Sequence, residues 1–359
     1  MNRTRLYHTR KTLEKFVSTS LGLEHKKNCL KPSVINACLV SACAHNTYIE
    51  TLCDKADSIL RHIKHSETSM ITFSYLDFIG QVSRKIRLNQ KKVVLAFDYT
   101  KEVFWGDIGG FDIFGTKKAE KGSGEFRFLT CSQVSGKLHA KIPLISIPVR
   151  LGHNKSQAIA YCLSLIKKYV GEIELVLFDR EFYAKEVMMS LNHDNIPYLI
   201  FVPKKKGVIQ ETLSQMYTGE TLTKVHKFDL NKHKTVYRDK TSMSFLRAIF
   251  DEKSSNHFDW CFVTNLDNFD VNKMIPTYKC RWRIETGFRV QDEADSRSNS
   301  KELIIRYFMF MYEQLLQSIW HVFYKKEEEV PFKRFVITLN NMLQEDGVHE
   351  GSKVHRIVL

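Results

Sequence analysis

The chain contains no CxxC pair and no zinc-ligand spacing: its eight cysteines, at 29, 38, 43, 53, 131, 162, 261 and 280, are scattered singly. That pattern excludes a zinc ribbon or finger and leaves reduced, small core residues as the expectation. The phosphate-binding GxxxxGK[ST] loop, the HExxH metalloprotease pair and the GxSxG nucleophile elbow are all missing, which removes three large enzyme classes. The opening residues, MNRTRLYHTRKTLEKF, lack the apolar core of a secretory signal, so a cytoplasmic location is expected. No apolar run is clean enough for a membrane. The longest, Leu303 to Tyr324, is broken by Arg306, Glu313, Gln314, Gln317 and His321 and reads as a buried core helix.

Apolar residues are not scarce. Hydrophobic content of 43% and charged content of 26% are those of a globular protein, and 359 residues suffice for a large core divided over two or three domains. The charge is less ordinary. A formal net charge of +14 and a pI near 9.3 favour a polyanionic partner, nucleic acid above all, through phosphate contacts and counterion release. The excess is uneven, with 16 Lys/Arg against 7 Asp/Glu in residues 1–97 and a balance in residues 325–359.

Residues 1–88 are helical in pattern. Asn46 is placed to cap a helix over Thr47 to Asp54, followed closely by another over Asp57 to His65, the outline of a helix-turn-helix or of plain bundle packing. From Lys91 the period changes to strands: KVVLAFD, EFRFLTCSQVS and HAKIPLISIPVR form an antiparallel unit, the last two joined by a turn at Ser135-Gly136-Lys137. The loop between the first two strands, rich in Gly and Lys, suits either a phosphate-side loop or a solvated hairpin. Helices at Lys155 to Tyr169 and Phe182 to Leu191 then alternate with strands at Leu175 to Phe178 and Tyr198 to Val202. Antiparallel strands followed by parallel ones joined by helices describe an α/β fold, an RNase H-like mixed sheet flanked by helices. The expected divisions are a helical, DNA-binding 1–88, a core in two parts (89–203 and 261–324), a β-rich insertion at 204–260 and a helical tail at 325–359. Within the second core part, helices are expected from Lys273 to about Glu293 and from Ser300 to Tyr324.

Three carboxylates stand out. Asp98 closes the apolar run KKVVLAFDYT, Asp179 closes ELVLFDREFY, and Glu285 lies in the helical stretch YKCRWRIETGFRV. A strand apolar throughout is buried on both faces, so an acid ending it emerges at the sheet's edge. Two such ends with a helix crossing them make an oxygen cage for Mg²⁺ or Mn²⁺. On one continuous helix Tyr278, Arg281, Trp282, Glu285, Phe288, Arg289 and Asp292 would share a face. The bland alternative is a surface helix with an Arg281–Glu285 ion pair. Arg180 and Glu181 are secondary candidates at a helix start. Asp107 and Asp112 read as solvated loop acids, and one of Asp292, Glu293 and Asp295 could replace Glu285.

The spacing of Tyr278, Arg281 and Glu285 resembles the Y-x2-R-x3-E-x6-K signature of cut-and-paste DDE transposases of insertion-sequence family four. FDREFY at Asp179 resembles that family's DRxFY element, especially in its archaeal branch. Residues 90–322 resemble the catalytic domain, and residues 1–88 occupy the place of its DNA-binding region. The resemblance implies a catalytic triad of Asp98, Asp179 and Glu285 holding two Mg²⁺ or Mn²⁺ ions, with Asp98 bridging them, and DNA contacts from Tyr278, Arg281 and Arg289. It also implies partners: double-stranded DNA, both element ends and target, with a homodimer on DNA, no membrane, and a nucleoid-associated place in the cytoplasm. The expected chemistry is hydrolysis at the terminal inverted repeats, then strand transfer. A hairpin intermediate would hold a flipped base against an aromatic ring such as Trp260 or Tyr237. One departure stands out: the family's closing Lys falls at Asp292. A haloacid-dehalogenase-like phosphatase would need a second acid where Thr100 stands. The alternative of another class is a domesticated or decayed copy that binds DNA without cutting it.

Overall fold

The computed structural model describes residues 1–25, 30–116, 122–135, 141–203, 207–218, 223–229, 240–251, 256–267 and 270–346. Five helices come first: α1 (Arg3–Ser20), α2 (Pro32–His45), α3 (Ile49–Leu52), α4 (Ala56–Lys64) and α5 (Thr68–Ile86). The strands β1 (Val93–Phe104), β2 (Phe114–Gly115), β3 (Gly124–Gln133) and β4 (Ile142–Val149) follow. Next come α6 (Lys155–Ile166), β5 (Ile173–Phe178), α7 (Lys185–His193), β6 (Tyr198–Phe201) and α8 (Val208–Thr218). Then β7 (Thr223–Asp229), β8 (Lys240–Asp251) and β9 (Asn256–Thr264) lead into α9 (Val271–Lys279), α10 (Trp282–Gln291), α11 (Leu303–Phe323), α12 (Lys325–Glu328) and α13 (Phe332–Glu345).

The strands form one mixed sheet in the order β2-β3-β1-β5-β6-β9-β8-β7, with β4 also on β3. β1, β3 and β4 are antiparallel, while β1, β5 and β6 are parallel. This is the mixed α/β architecture expected from the sequence. The proposed turn at Ser135-Gly136-Lys137 lies largely outside the described residues. The stretch 204–260 opens with a helix, α8, rather than a strand, and its last strand, β9, pairs with both β6 and β8. The polar strands therefore extend the central sheet.

Alternation along β1 and β5 divides the interior in two. Leu95, Phe97, Val176 and Phe178 point into the larger core, while Ala96, Leu175 and Leu177 point into a smaller one with Leu199, Trp260, Phe262, Met274, Tyr278 and Ile284. The helices α9 and α10 supply the lid of that smaller core.

β1 does not stop at Asp98, contrary to the reading of an acid closing the strand. It runs on for six more residues to Phe104, paired with β3 throughout. What ends at this level is its other neighbour, since the β1–β5 pairing stops at Phe97↔Phe178. Buried on both faces and paired on both edges, residues up to Phe97 are apolar. Beyond that point one edge is open, and the burial pattern loosens to alternation.

The larger core is continuous from Leu6 to Leu343. Its axle is α11, buried around nearly its whole circumference. Several of its polar side chains find partners: Arg306 donates to Glu102, Glu313 accepts from Ser296, and the Gln314 side-chain oxygen accepts from Ser146. No helix among the described residues is long and apolar enough to cross a membrane. The short helices in the helix-turn-helix stretch differ from expectation. α3 is a single turn, and Asn46 is the left-handed residue that ends α2 (φ 49°) rather than the cap that starts the next helix. Of the seven described cysteines, all but Cys280 are buried.

Candidate active site

Parity puts the two strand acids together. Asp98 continues the Ala96 side of β1 and Asp179 the Leu177 side of β5, so both lie on the face lidded by α9 and α10, one step past the last paired rung. Asp179 caps the short turn Arg180–Phe182, its Oδ1 accepting from the backbone N–H of Arg180 at 2.6 Å. Asp98 Oδ1 accepts from the N–H of Tyr99 at 2.9 Å.

The lid is two helices, not one. Its first half, α9, contains Pro276 and ends at Lys279, and Arg281 stands at the joint before α10. The continuous face expected for Tyr278 to Asp292 is therefore divided. Tyr278 is buried, its ring 5.0 Å from Phe262 and 5.7 Å from Phe201 between centroids. Trp282, one residue past the joint, is 46% exposed. Arg289 is exposed one turn beyond Glu285, and Asp292 ends the helix.

Arg281 is the hub. Its guanidinium donates to Asp98 Oδ2 at 3.0 Å and to Glu285 Oε1 at 2.6 Å, and it lies 5.6 Å from the Tyr278 ring centroid. The residue is only 5% exposed, and its Nε–H has no hydrogen-bond partner. The sequence reading gave this side chain to a DNA phosphate, whereas here it ties two of the three acids. Burial pushes the Asp98 carboxyl up to about 7, with Arg281 opposing and the charges of Glu285 and Asp179 adding. Three anionic side chains thus share one field, with one cation among them.

Could these residues hold a divalent ion? The donor set is all carboxylate oxygen, the chemistry that suits Mg²⁺ or Mn²⁺. A cation already bridges Asp98 and Glu285, in the form of the guanidinium. As drawn together here, no group of three acidic, His or Cys side chains among the described residues is arranged to hold a metal. The donors fit, provided that Arg281 moves off them.

Other expected residues fall elsewhere. Trp260 is buried at 5% exposure and packs on Phe262, so it is unavailable to a flipped base, and Tyr237 lies outside the described residues. Glu181 pairs with Arg127 and Lys155 rather than with the acids. Asp112 pairs with Arg150 at 2.8 Å, and Asp107 approaches Lys301 at 4.0 Å. Asp292, where a Lys was expected, carries a carboxyl raised above its ordinary range by burial, with Asp295 adding. Trp282 is exposed while Tyr278, expected on the same face, is buried; the helix break between them separates the two.

Residues 145–295 match the family model described as the transposase DDE domain, a stretch that includes Asp179 and Glu285 and begins after Asp98. Among solved structures, the fold is similar to a piggyBac transposase in a cryo-EM synaptic complex with hairpin DNA. The TM-score is 0.56 at 13% identity, over 98% of this chain and 80% of that one. No curated protein matches the sequence. Residues 145–295 are thus similar to a transposase DDE domain, and the mixed α/β fold is similar to that of the piggyBac transposase.

Proposed function

We propose that this protein is a cut-and-paste DNA transposase of the insertion-sequence family four type, its triad being Asp98, Asp179 and Glu285. The observation that carries this reading is the meeting of Asp98 and Glu285 on one guanidinium, with Asp179 on the adjoining strand end and the same face. Mg²⁺ or Mn²⁺ bound by the three carboxylates would activate an attacking oxygen and stabilise a leaving one in phosphodiester displacement. Asp98 and Asp179, fixed by β1 and β5, set the floor of the site, and Glu285 closes it from α10. Tyr278 holds Arg281 from beneath through ring contact. Arg289, exposed on the same helix, contacts the backbone of the terminal inverted repeat, and a dimer brings two such ends together.

Asp98→Asn, Asp179→Asn and Glu285→Gln should each lower cleavage of a duplex bearing the terminal inverted repeats by more than about 10²-fold. Binding of that duplex, measured by gel shift, should persist. Normal cutting by any one variant removes that residue from the triad. The second reading, DNA binding without cleavage, draws on Asp292, which places an acid near Asp295 where the family has a phosphate-binding Lys. Folded wild-type protein that binds the repeats but makes no metal-dependent nick would favour it.

A further inference from the structure

We infer that Arg281 is a positioning residue that occupies the cation's place between Asp98 and Glu285, and yields it when a DNA phosphate takes its guanidinium. The inference rests on the triad assigned above. It assigns this side chain two alternative partners.

A guanidinium cannot lose its proton in a protein, so a divalent cation cannot share Asp98 Oδ2 and Glu285 Oε1 with Arg281. Loading those two oxygens requires the side chain to leave. Leaving is costly without a new anion, because Arg281 is 5% exposed and hydrogen-bonded to Asp98 and Glu285 at 3.0 and 2.6 Å. Its resting place is also incomplete. The Nε–H is buried and unpartnered, and an unmade hydrogen bond of that kind is a standing cost. A phosphate offers what the present arrangement lacks, two oxygens in one plane for the fork of Nε–H and Nη–H.

The joint between α9 and α10 carries the device. Arg281 is not inside a continuous helix but at the break after Lys279, so its side chain can change partners without unwinding either helix. Glu285, whose side chain is 41% exposed, is the looser of its two carboxylate partners; Asp98, at 17%, is the tighter. The consequence is reciprocal. If phosphate draws Arg281 away, DNA raises the affinity for the ion, and the ion raises the affinity for DNA by the same factor.

The test is Mn²⁺ binding to the full chain, followed by electron paramagnetic resonance, with and without a saturating short DNA duplex. In the wild type, DNA should tighten Mn²⁺ binding by about 10-fold or more. Arg281→Gln should bind Mn²⁺ more tightly than the wild type without DNA, and DNA should add little. Arg281→Lys, which keeps the charge but has no fork, should fall between the two and guards against a misfolded Gln variant; circular dichroism checks both. Equal Mn²⁺ affinity with and without DNA in the wild type, or no gain in either variant, overturns the inference. Asp98→Asn separates this from failure of the triad. If it abolishes Mn²⁺ binding while the Arg281 variants behave as wild type, the triad stands and the exchange of partners is wrong. If it binds Mn²⁺ as wild type does, both fall.

Discussion

Asp98 sits where burial and neighbouring charge oppose its ionisation, and that has a measurable sign. Its carboxyl is pushed up to about 7, above the usual carboxylate range. In the metal-free protein the folded state therefore keeps a proton that the unfolded chain has released, and stability falls as pH rises from about 4 towards 7. Asp98→Asn, neutral at all pH, should stabilise the metal-free protein at about pH 8, by up to about 4 kcal/mol, and change little at about pH 4. Thermal melts in chelator at the two pH values check this; equal shifts at both would show that the site does not strain against its own charge. Trp282 makes a second residue-scale case. As an exposed ring beside Arg281, it is placed to stack on an unpaired base at a cleaved end. Trp282→Ala should weaken binding of DNA with unpaired terminal bases by about 1–3 kcal/mol, and Trp282→Phe should restore most of it. The motif that contains these residues was legible because its side chains carry chemistry. The break at Arg281, which buries Tyr278 and exposes Trp282, was not, since the 3.6-residue period continues on both sides of it.

Among the elements, α11 decides how the protein holds together. The Tyr307 hydroxyl meets Thr72 of α5 at 2.7 Å and donates to the backbone of Ser146 in β4 at 2.7 Å. Tyr75 of α5 likewise donates to the backbone of Pro143 and meets Ser318 of α11. These buried bonds fasten the N-terminal helices to the central sheet through one helix. Tyr307→Phe leaves the Thr72 hydroxyl and the Ser146 carbonyl short of this partner and should cost about 1–3 kcal/mol in urea unfolding, with a single transition retained. A separate early transition of α5 would contradict this coupling. From the sequence, α11 was recognisable as a buried helix by its length and interrupted polarity. Its partners were not, because a helix apolar all round has no face that names what it packs against. The strand bearing Asp98 tells the same story: the apolar run read as a whole strand was the portion flanked by two neighbours, and the less buried remainder of β1 was not recognised as part of it.

Over the whole molecule, the N-terminal helices are welded to the rest of the fold. Leu6, Leu13 and Phe16 of α1 belong to the same hydrophobic cluster as α11 and as Phe335 and Leu339 of α13. Deleting residues 1–88 should therefore expose the apolar side of α11 and give aggregated protein, seen by size exclusion. A soluble, folded fragment is not expected. That outcome would instead mark residues 1–88 as separable. The net charge of +14 acts on the same scale. It supports DNA association whose affinity falls steeply with added salt, whatever residue makes each contact.

By itself the sequence determined the mixed α/β character, the three candidate acids and the basic charge, because each is written locally: in period, in residue type, in count. Only the tertiary structure decided which carboxylates share a face, where the lid helix breaks and what Arg281 holds. Those depend on strand register and on packing between segments more than a hundred residues apart, and no local pattern encodes the distance between two side chains that meet only once the chain has closed on itself.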